Sequence, residues 1–257
     1  MNYLNTSILK EKVPAAFADS PRKDVSKKYC FLSTEKIIND VIKKGYFPVS
    51  ADQTKTRDIS KRKFARHIIR FRAKNPKRIN GYFPEVVLIN SHNRKSRLKI
   101  MVGLFRIVCS NGLIVSEATF GSVKVIHFGN REEEVERRLD FVLQQFPKVE
   151  KRVRIFQKIK LSEKDRKEYL KRATKLRWKR RIPNLDTSLD MVKRKEDKGN
   201  SLWNVFNRTQ ENIFKGNIPS KSKNGRITIT RALKSVKKNI KLNEALWSLT
   251  EEFANRK

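Results

Sequence analysis

The stretch Phe64-Ala65-Arg66-His67-Ile68-Ile69-Arg70-Phe71-Arg72 alternates: Arg66, Ile68, Arg70 and Arg72 share one parity, and Ala65, His67, Ile69 and Phe71 share the other. A β-strand sends successive side chains to opposite faces, so the spacing predicts a strand with one mainly cationic and one mainly apolar face. Turn chemistry follows at Asn75-Pro76 and Asn80-Gly81, and residues 82–90, rich in aromatic and β-branched side chains, predict a second strand. Residues 98–108 predict a third. The Asn111-Gly112 pair favours the positive φ angles of a tight hairpin, with residues 113–115 beginning the return strand, and residues 123–128 alternate as a fifth. The first half therefore reads as an antiparallel sheet.

Helical periods surround it. Ser33 is placed to cap a helix whose stripe is Ile37, Ile38, Val41 and Ile42, with Gly45 as its stop. From Asn130 the period becomes helical again, with Glu132, Glu133 and Glu134 in the first turn and Val135, Leu139, Val142, Leu143 and Phe146 on one face. Pro147 breaks or restarts that helix, and Ser162 with Asp165 resembles a capped start for another. Residues 201–215 predict a helix ended by Gly216, and two shorter helical patterns follow at 232–240 and 244–253. The expected fold class is α+β, an antiparallel sheet in the N-terminal half packed by helices from the C-terminal half. Residues 1–30 read as an irregular arm, 31–181 as the core, 182–200 as a basic loop, and 201–257 as a helical segment packing on that core.

The 257 residues contain 61 Lys+Arg and 26 Asp+Glu, a formal net charge of +35, while 38% hydrophobic content with 15 Phe suffices for a core. No run of about 18 apolar residues is present, so neither a spanning helix nor a membrane partner is expected. Two cysteines among apolar neighbours, and no secretory pattern, point to a cytoplasmic chain, nucleoid-associated if it binds DNA. Neither a G-x-G-x-x-G nor a P-loop string occurs, and no cofactor is expected.

The charge is concentrated. Residues 57–78 hold ten basic side chains against one acidic, 148–181 sixteen against four, and 221–241 eight against none. Unpaired like charges at close spacing repel, and phosphates relieve that repulsion while releasing condensed counterions. The candidate nucleic-acid contacts are Arg57, Lys61, Arg62, Arg66, Arg70, Arg72 and Lys74 in the first tract. In the second they are Lys171, Arg172, Lys175, Arg177, Trp178 and Lys179. Phe64, Phe71, Phe83, Tyr169, Trp178 and Trp203 lie in or beside these tracts; stacking on bases is one use for them and a place in the core another, with Trp178 open to either. Asn204 and Asn207 join Gln210, Glu211 and Asn212 in an amide-rich helical face suited equally to contacting nucleic acid and to bracing the helix. Arg106, in register with Leu98, Ile100, Val102, Leu104 and Val108, would need a carboxylate or phosphate if buried.

Catalytic signals are sparse. His67, His92 and His127 stand apart from one another and from cysteine at metal-binding spacing, and Asp52, Asp58, Glu85 and Glu117 form no recognisable magnesium-holding pair. Cys109 has no local base. No catalytic or metal-binding residue is assigned.

The strings at residues 66–72, 84–92 and 103–113, together with Leu202-Trp203-Asn204-Val205-Phe206-Asn207-Arg208-Thr209-Gln210-Glu211-Asn212 and Leu242-Asn243-Glu244-Ala245-Leu246-Trp247, resemble the phage/plasmid-like protein family, a domain of unknown function. Members of that family sit on phages, plasmids and genomic islands, often near genes for single-strand binding and recombination. The resemblance implies DNA metabolism of a mobile element, with a single-strand-binding or recombination protein as partner. Charge and resemblance together predict a non-enzymatic DNA-binding protein, DNA rather than RNA, acting in recombination, repair or replication by single-strand binding or annealing and suited to homo-oligomers. A metal-dependent nuclease and an interaction protein countering host defence are the alternatives.

Overall fold

A computed structural model describes residues 3–26, 29–78, 81–94, 96–105, 113–114, 123–125, 132–178, 188–221, 226–233 and 235–256. Among these residues the fold is α+β, a four-stranded antiparallel N-terminal sheet with seven helices, mostly in the C-terminal half. The chain divides into two compact units, Met1–Val108 with Phe120–Phe146, and Cys109–Thr119 with Pro147–Lys257.

In the first unit, β1 (Tyr46–Gln53), β2 (His67–Ala73), β3 (Phe83–Asn90) and β4 (Leu98–Phe105) pair antiparallel in chain order. The two-residue strand β5 (Leu113–Ile114) belongs to the second unit. Strand β6 (Val123–Val125) lies against residues 98–100 of β4. Three strands are where alternation and turn residues predict them. The Asn111-Gly112 turn, Arg106, His127 and Cys109 lie outside the described residues. β1 was not predicted, because Pro48 interrupts its pattern; proline is tolerated since β1 is an edge strand with a register shift between Pro48 and Ser50.

The predicted apolar face of β2 is buried: His67, Ile69 and Phe71 stand opposite Asn90, Leu88 and Val86 of β3. Helix α2 (Thr34–Lys43) meets this face through Thr34, with Ser33 Oγ accepting from the Lys36 amide and Gly45 in the left-handed region at φ 83° beyond its end. Glu85, Val87 and Ile89 on the other face of β3 are equally buried, so the central strand has no solvent side.

Residues 1–30 are not an irregular arm. Helix α1 (Thr6–Lys12) is capped by Asn5, a 3-10 turn (Pro14–Phe17) follows, and Leu9, Val13, Ala15 and Ala16 are buried. Two short elements are too brief to show a period, and tertiary bonds hold them: the Leu4 amide donates to the Pro48 carbonyl at 2.8 Å and the Ala15 amide to Gln53 Oε1 at 3.1 Å. Helix α3 (Glu132–Leu143) completes this unit, burying Val135, Leu139 and Val142.

The second unit is helical: α4 (Phe146–Lys158), α5 (Glu163–Arg177), α6 (Leu202–Lys215) and α7 (Val236–Ala254), with a ribbon of β7 (Pro219–Lys221) and β8 (Ile227–Ile229) between α6 and α7. Each of α5, α6 and α7 starts at a serine, Ser162, Ser201 or Ser235, whose hydroxyl accepts from the third amide on. The core is aromatic: Trp203 stacks on Phe206 at 5.4 Å between ring centroids, Phe206 meets the edge of Trp247 at 6.0 Å, and Phe156 lies 5.2 Å from Trp247. One helix replaces the two patterns expected after residue 232. Buried Asn243 sits in the stripe between Ile240 and Leu246, which disguises the helix as broken there. No helix among the described residues is long and apolar enough to cross a membrane.

Candidate nucleic-acid interface

Between β1 and β2 the chain makes an exposed excursion through a 3-10 helix (Ile59–Phe64). Lys55, Arg57, Lys61, Arg62 and Lys63 are all exposed on it. The single acid, Asp58, is spent on the backbone: its Oδ1 accepts from the Ser60 amide at 3.0 Å and the Ser60 hydroxyl at 2.6 Å. Lys61 Nζ lies 2.6 Å from the other oxygen, and these contacts, Lys61 first, pull the Asp58 carboxyl down to about 2. Lys55, Arg57, Arg62 and Lys63 have no acidic partner among the described residues. Ile59 is 83% exposed in their midst. Arg66 is half-buried at the start of β2 and Lys74 exposed beyond its end.

The expected cationic face of β2 turns inward at its far end. Arg72, only 7% exposed, stands opposite Glu85, donates from Nε to Oε1 at 2.8 Å, and bonds the same oxygen through Nη2. Arg70 Nε lies 3.5 Å from Oε2 of the same carboxylate. Burial pushes the Glu85 carboxyl up and both guanidiniums pull it down; burial likewise lowers Arg70. Arg72 therefore leaves the set of surface contacts predicted from parity, because both sheet faces are covered and its charge is matched from within. Its guanidinium carbon also lies 4.0 Å above the Phe83 ring.

In the second unit, Lys164, Lys167, Lys171 and Lys175 are exposed along α5 at spacings of three and four, one face about 16 Å long at 1.5 Å per residue. Lys167 reaches Glu163 at 2.6 Å, while Lys171 and Lys175 have no acidic partner among the described residues. Two predicted contacts on this helix are braces instead. Arg172 Nη1 donates to Glu252 Oε1 at 2.5 Å, and Arg177 donates to the carbonyls of Ile213 and Arg231. Trp178 is half-buried under the Arg177 guanidinium at 4.5 Å, and Lys179 lies outside the described residues.

The amide face of α6 resolves as bracing. Twelve of its fourteen residues are buried, so the partners of its polar side chains are sought inside the fold. Asn204 donates to the Glu196 carbonyl at 2.9 Å and bonds Ser201 at the cap; Asn207 is buried; Gln210 donates to Asn243 at 3.3 Å; Asn212 donates to the carbonyls of Leu189 and Met191 at 2.9 and 2.8 Å. Arg208, 3% exposed, reaches Asp190 Oδ1 at 2.5 Å and the Gly199 carbonyl at 2.6 Å. Burial thus removes Asn207 from the predicted contacts, and half-buried Asn204 is committed to the cap and to the Glu196 carbonyl. Of the aromatics, Phe71, Phe83, Tyr169 and Trp203 are core residues.

The sequence matches the family described as "Domain of unknown function (DUF932)" across residues 22–247. The chain belongs to this family. Two relatives from Escherichia coli (strain K12), UPF0380 protein YfjQ and UPF0380 protein YafZ, are each 32% identical over 241 residues, 93% of this chain and 87% of theirs. No solved structure matches. The DUF932 segment takes in the basic excursion, the α5 stripe and the β7–β8 ribbon, and ends at Trp247 in the aromatic core.

Sequence reasoning missed a buried polar node in this DUF932 chain. Thr34 Oγ1 lies 3.0 Å from His67 Nε2, 3.2 Å from His92 Nε2 and 3.0 Å from Asn90 Nδ2, and all four residues are buried. His67 Nδ1 sits 3.0 Å from the Ala65 carbonyl, which can only accept, so Nδ1 carries the proton and Nε2 accepts from the Thr34 hydroxyl. Thr34 then accepts from Asn90 and from His92 Nε2–H, which defines both tautomers. Burial lowers His67 to about 4, so the imidazole is neutral at neutral pH. The node ties α2 to β2 and β3 away from solvent. No group of three or more His, Cys, Asp or Glu able to hold a metal ion occurs among the described residues.

Proposed function

We propose that this chain is a non-enzymatic DNA-binding protein of a mobile genetic element, acting on DNA in recombination, repair or replication. The observation that carries the reading is the excursion at residues 54–64, where five cations are exposed and the only acid is committed to capping. Three acids elsewhere are each shared between two cations: Glu85 serves Arg70 and Arg72, Glu211 serves Arg194 and Lys215, and Glu252 serves Arg172 and Arg256. The chain carries a surplus of 35 positive charges over negative ones, and phosphate rails are a partner that neutralises such a surplus with counterion release. The mobile-element assignment rests on the likeness to the phage/plasmid-like family. Burial of four candidate stacking aromatics favours phosphate contact over a base-stacking platform.

Fluorescence anisotropy with labelled DNA at several salt concentrations tests the reading. Replacing Arg57, Lys61 and Arg62 by Ala together should weaken binding across all sequences and reduce the slope of log affinity against log salt by about 2 to 3. Unchanged affinity and slope would remove the excursion from the interface. Cleavage of the DNA in magnesium that chelator abolishes would replace the binding reading with a nuclease.

A further inference from the structure

Strands β7 and β8 form an antiparallel ribbon in which Pro219 faces Ile229 and Lys221 faces Ile227. Ile227 and Ile229 share one face by the two-residue period. They are 72% and 63% exposed, and Thr228 between them is exposed on the opposite face, so the described residues cover neither side of this strand. A strand that buries neither face gains nothing from its isoleucines in the folded monomer.

The surroundings identify what meets them. Arg226 and Arg231 flank the pair and are exposed, and residues 221–241 hold eight basic side chains and no acid. An apolar pair set in an acid-free cationic segment fits a partner that is anionic outside and apolar within. Stacked base pairs between phosphate rails have that character. Aliphatic side chains do not offer the flat stacking platform that single strands use, and act instead as wedges between base steps. The B-form major groove admits a two-stranded ribbon, whereas the deep, narrow major groove of A-form RNA does not. Three residues per strand reach about 10 Å, comparable with a groove depth of about 8 Å.

The ribbon is also rigidly rooted. The Asn217 amide donates to the Thr230 carbonyl at 2.7 Å, the Thr230 amide to the Ile218 carbonyl at 3.0 Å, and the Ile218 amide to Thr230 Oγ1 at 3.2 Å. Arg177 grips the carbonyls of Ile213, in the last turn of α6, and Arg231, just past the ribbon. Gly216 lets the two segments touch: a Cβ there would come within 2.5 Å of the Arg231 carbonyl carbon. A wedge transmits bending only if its base does not yield, and this base is bonded from three sides.

We propose that the β7–β8 ribbon is an arm that enters a groove of duplex DNA, with Ile227 and Ile229 as the apolar wedge that kinks it and Arg226 and Arg231 on the flanking phosphates. The inference rests on the DNA-binding reading above and deepens it from DNA in general to bent duplex.

The test uses the full chain with a 30-base-pair duplex labelled at both ends for energy transfer, and with single-stranded DNA and duplex RNA of the same sequence. The wild type should bend the duplex DNA. The double variant Ile227→Ser/Ile229→Ser, at exposed positions that leave the core intact, should bind duplex at least tenfold more weakly, keep the salt slope and lose the bend, with single-strand affinity unchanged. The variant lacking Arg57, Lys61 and Arg62 should lose affinity but still bend what it binds, which separates the two surfaces. Duplex binding without bending, a bend that survives the double variant, or preference for duplex RNA would overturn the arm while leaving nucleic-acid binding intact. Failure to bind any of the three would overturn both.

Discussion

Arg72 and Glu85 face each other across β2 and β3 with their charges matched inside the sheet rather than at the surface. An arginine that parity alone assigns to a ligand-binding face is thereby part of the scaffold.

Removing one partner of such a pair strands a buried charge. Glu85→Ala should destabilise the first unit by about 3–5 kcal/mol, because Arg72 and Arg70 would then share no counter-charge. Replacing Arg72 and Glu85 together by Met and Leu should recover the part of that loss that Arg72 carries, while Arg70 still lacks the Glu85 carboxylate. Urea unfolding of both variants measures the difference, and a double variant no better than Glu85→Ala would show that the pair is not the cause.

The His67 imidazole sets an acid limit. An unfolded chain takes up its proton near pH 6.5, while the folded site refuses it until about 4, so stability falls as pH drops through that window and levels off below it. The full shift corresponds to about 3 kcal/mol. His67→Asn, whose side-chain amide can still reach the Ala65 carbonyl, should unfold at nearly the same urea concentration at pH 4.5 and 7, unlike the wild type.

Gly216 carries φ 62° and ψ −139° beyond α6, with the Arg231 backbone against it. Gly216→Ala meets both a disfavoured backbone region and a clash, and should cost at least about 2 kcal/mol while loosening the ribbon's root. Hydrogen exchange of the Asn217 and Thr230 amides is the measurement, with faster exchange expected.

Asn204 and Asn212 are predicted to matter for stability alone. Asn204→Ala removes the bond to Glu196, and Asn212→Ala leaves the Leu189 and Met191 carbonyls short of a donor. Each should cost about 1–3 kcal/mol with DNA affinity unchanged at temperatures where the variant is folded. A loss of affinity without a loss of stability would return α6 to the interface.

Local patterns were readable wherever one residue's neighbours in sequence are also its neighbours in space. Alternation located β2, and Ser33, Ser162 and Ser201 marked helix starts that the structure reproduces. β1 stayed hidden because Pro48 is acceptable only on an edge with a register shift, a property of its partner strand. α7 read as two pieces because Asn243 looks like a break until Gln210 supplies its partner. The exposed isoleucines were invisible for the converse reason: Ile227 and Ile229 have a strand's alternation, and only the absence of a covering layer among the described residues distinguishes them from core.

By itself, then, the chain's composition determined the cationic surplus and the three tracts in which it is gathered, and its periodicities determined the sheet apart from β1 and most of the helices. Which cations are available was decided only by tertiary structure. Arg172 meets Glu252 eighty residues further on, Arg177 meets carbonyls at 213 and 231, and Arg72 meets a carboxylate across the sheet, whereas among the described residues the cations of residues 54–64 meet no acid but Asp58. Charge is a sum over residues, but its neutralisation is pairwise and short-ranged, so only the distances created by folding separate the arginines that build this protein from those that face outward.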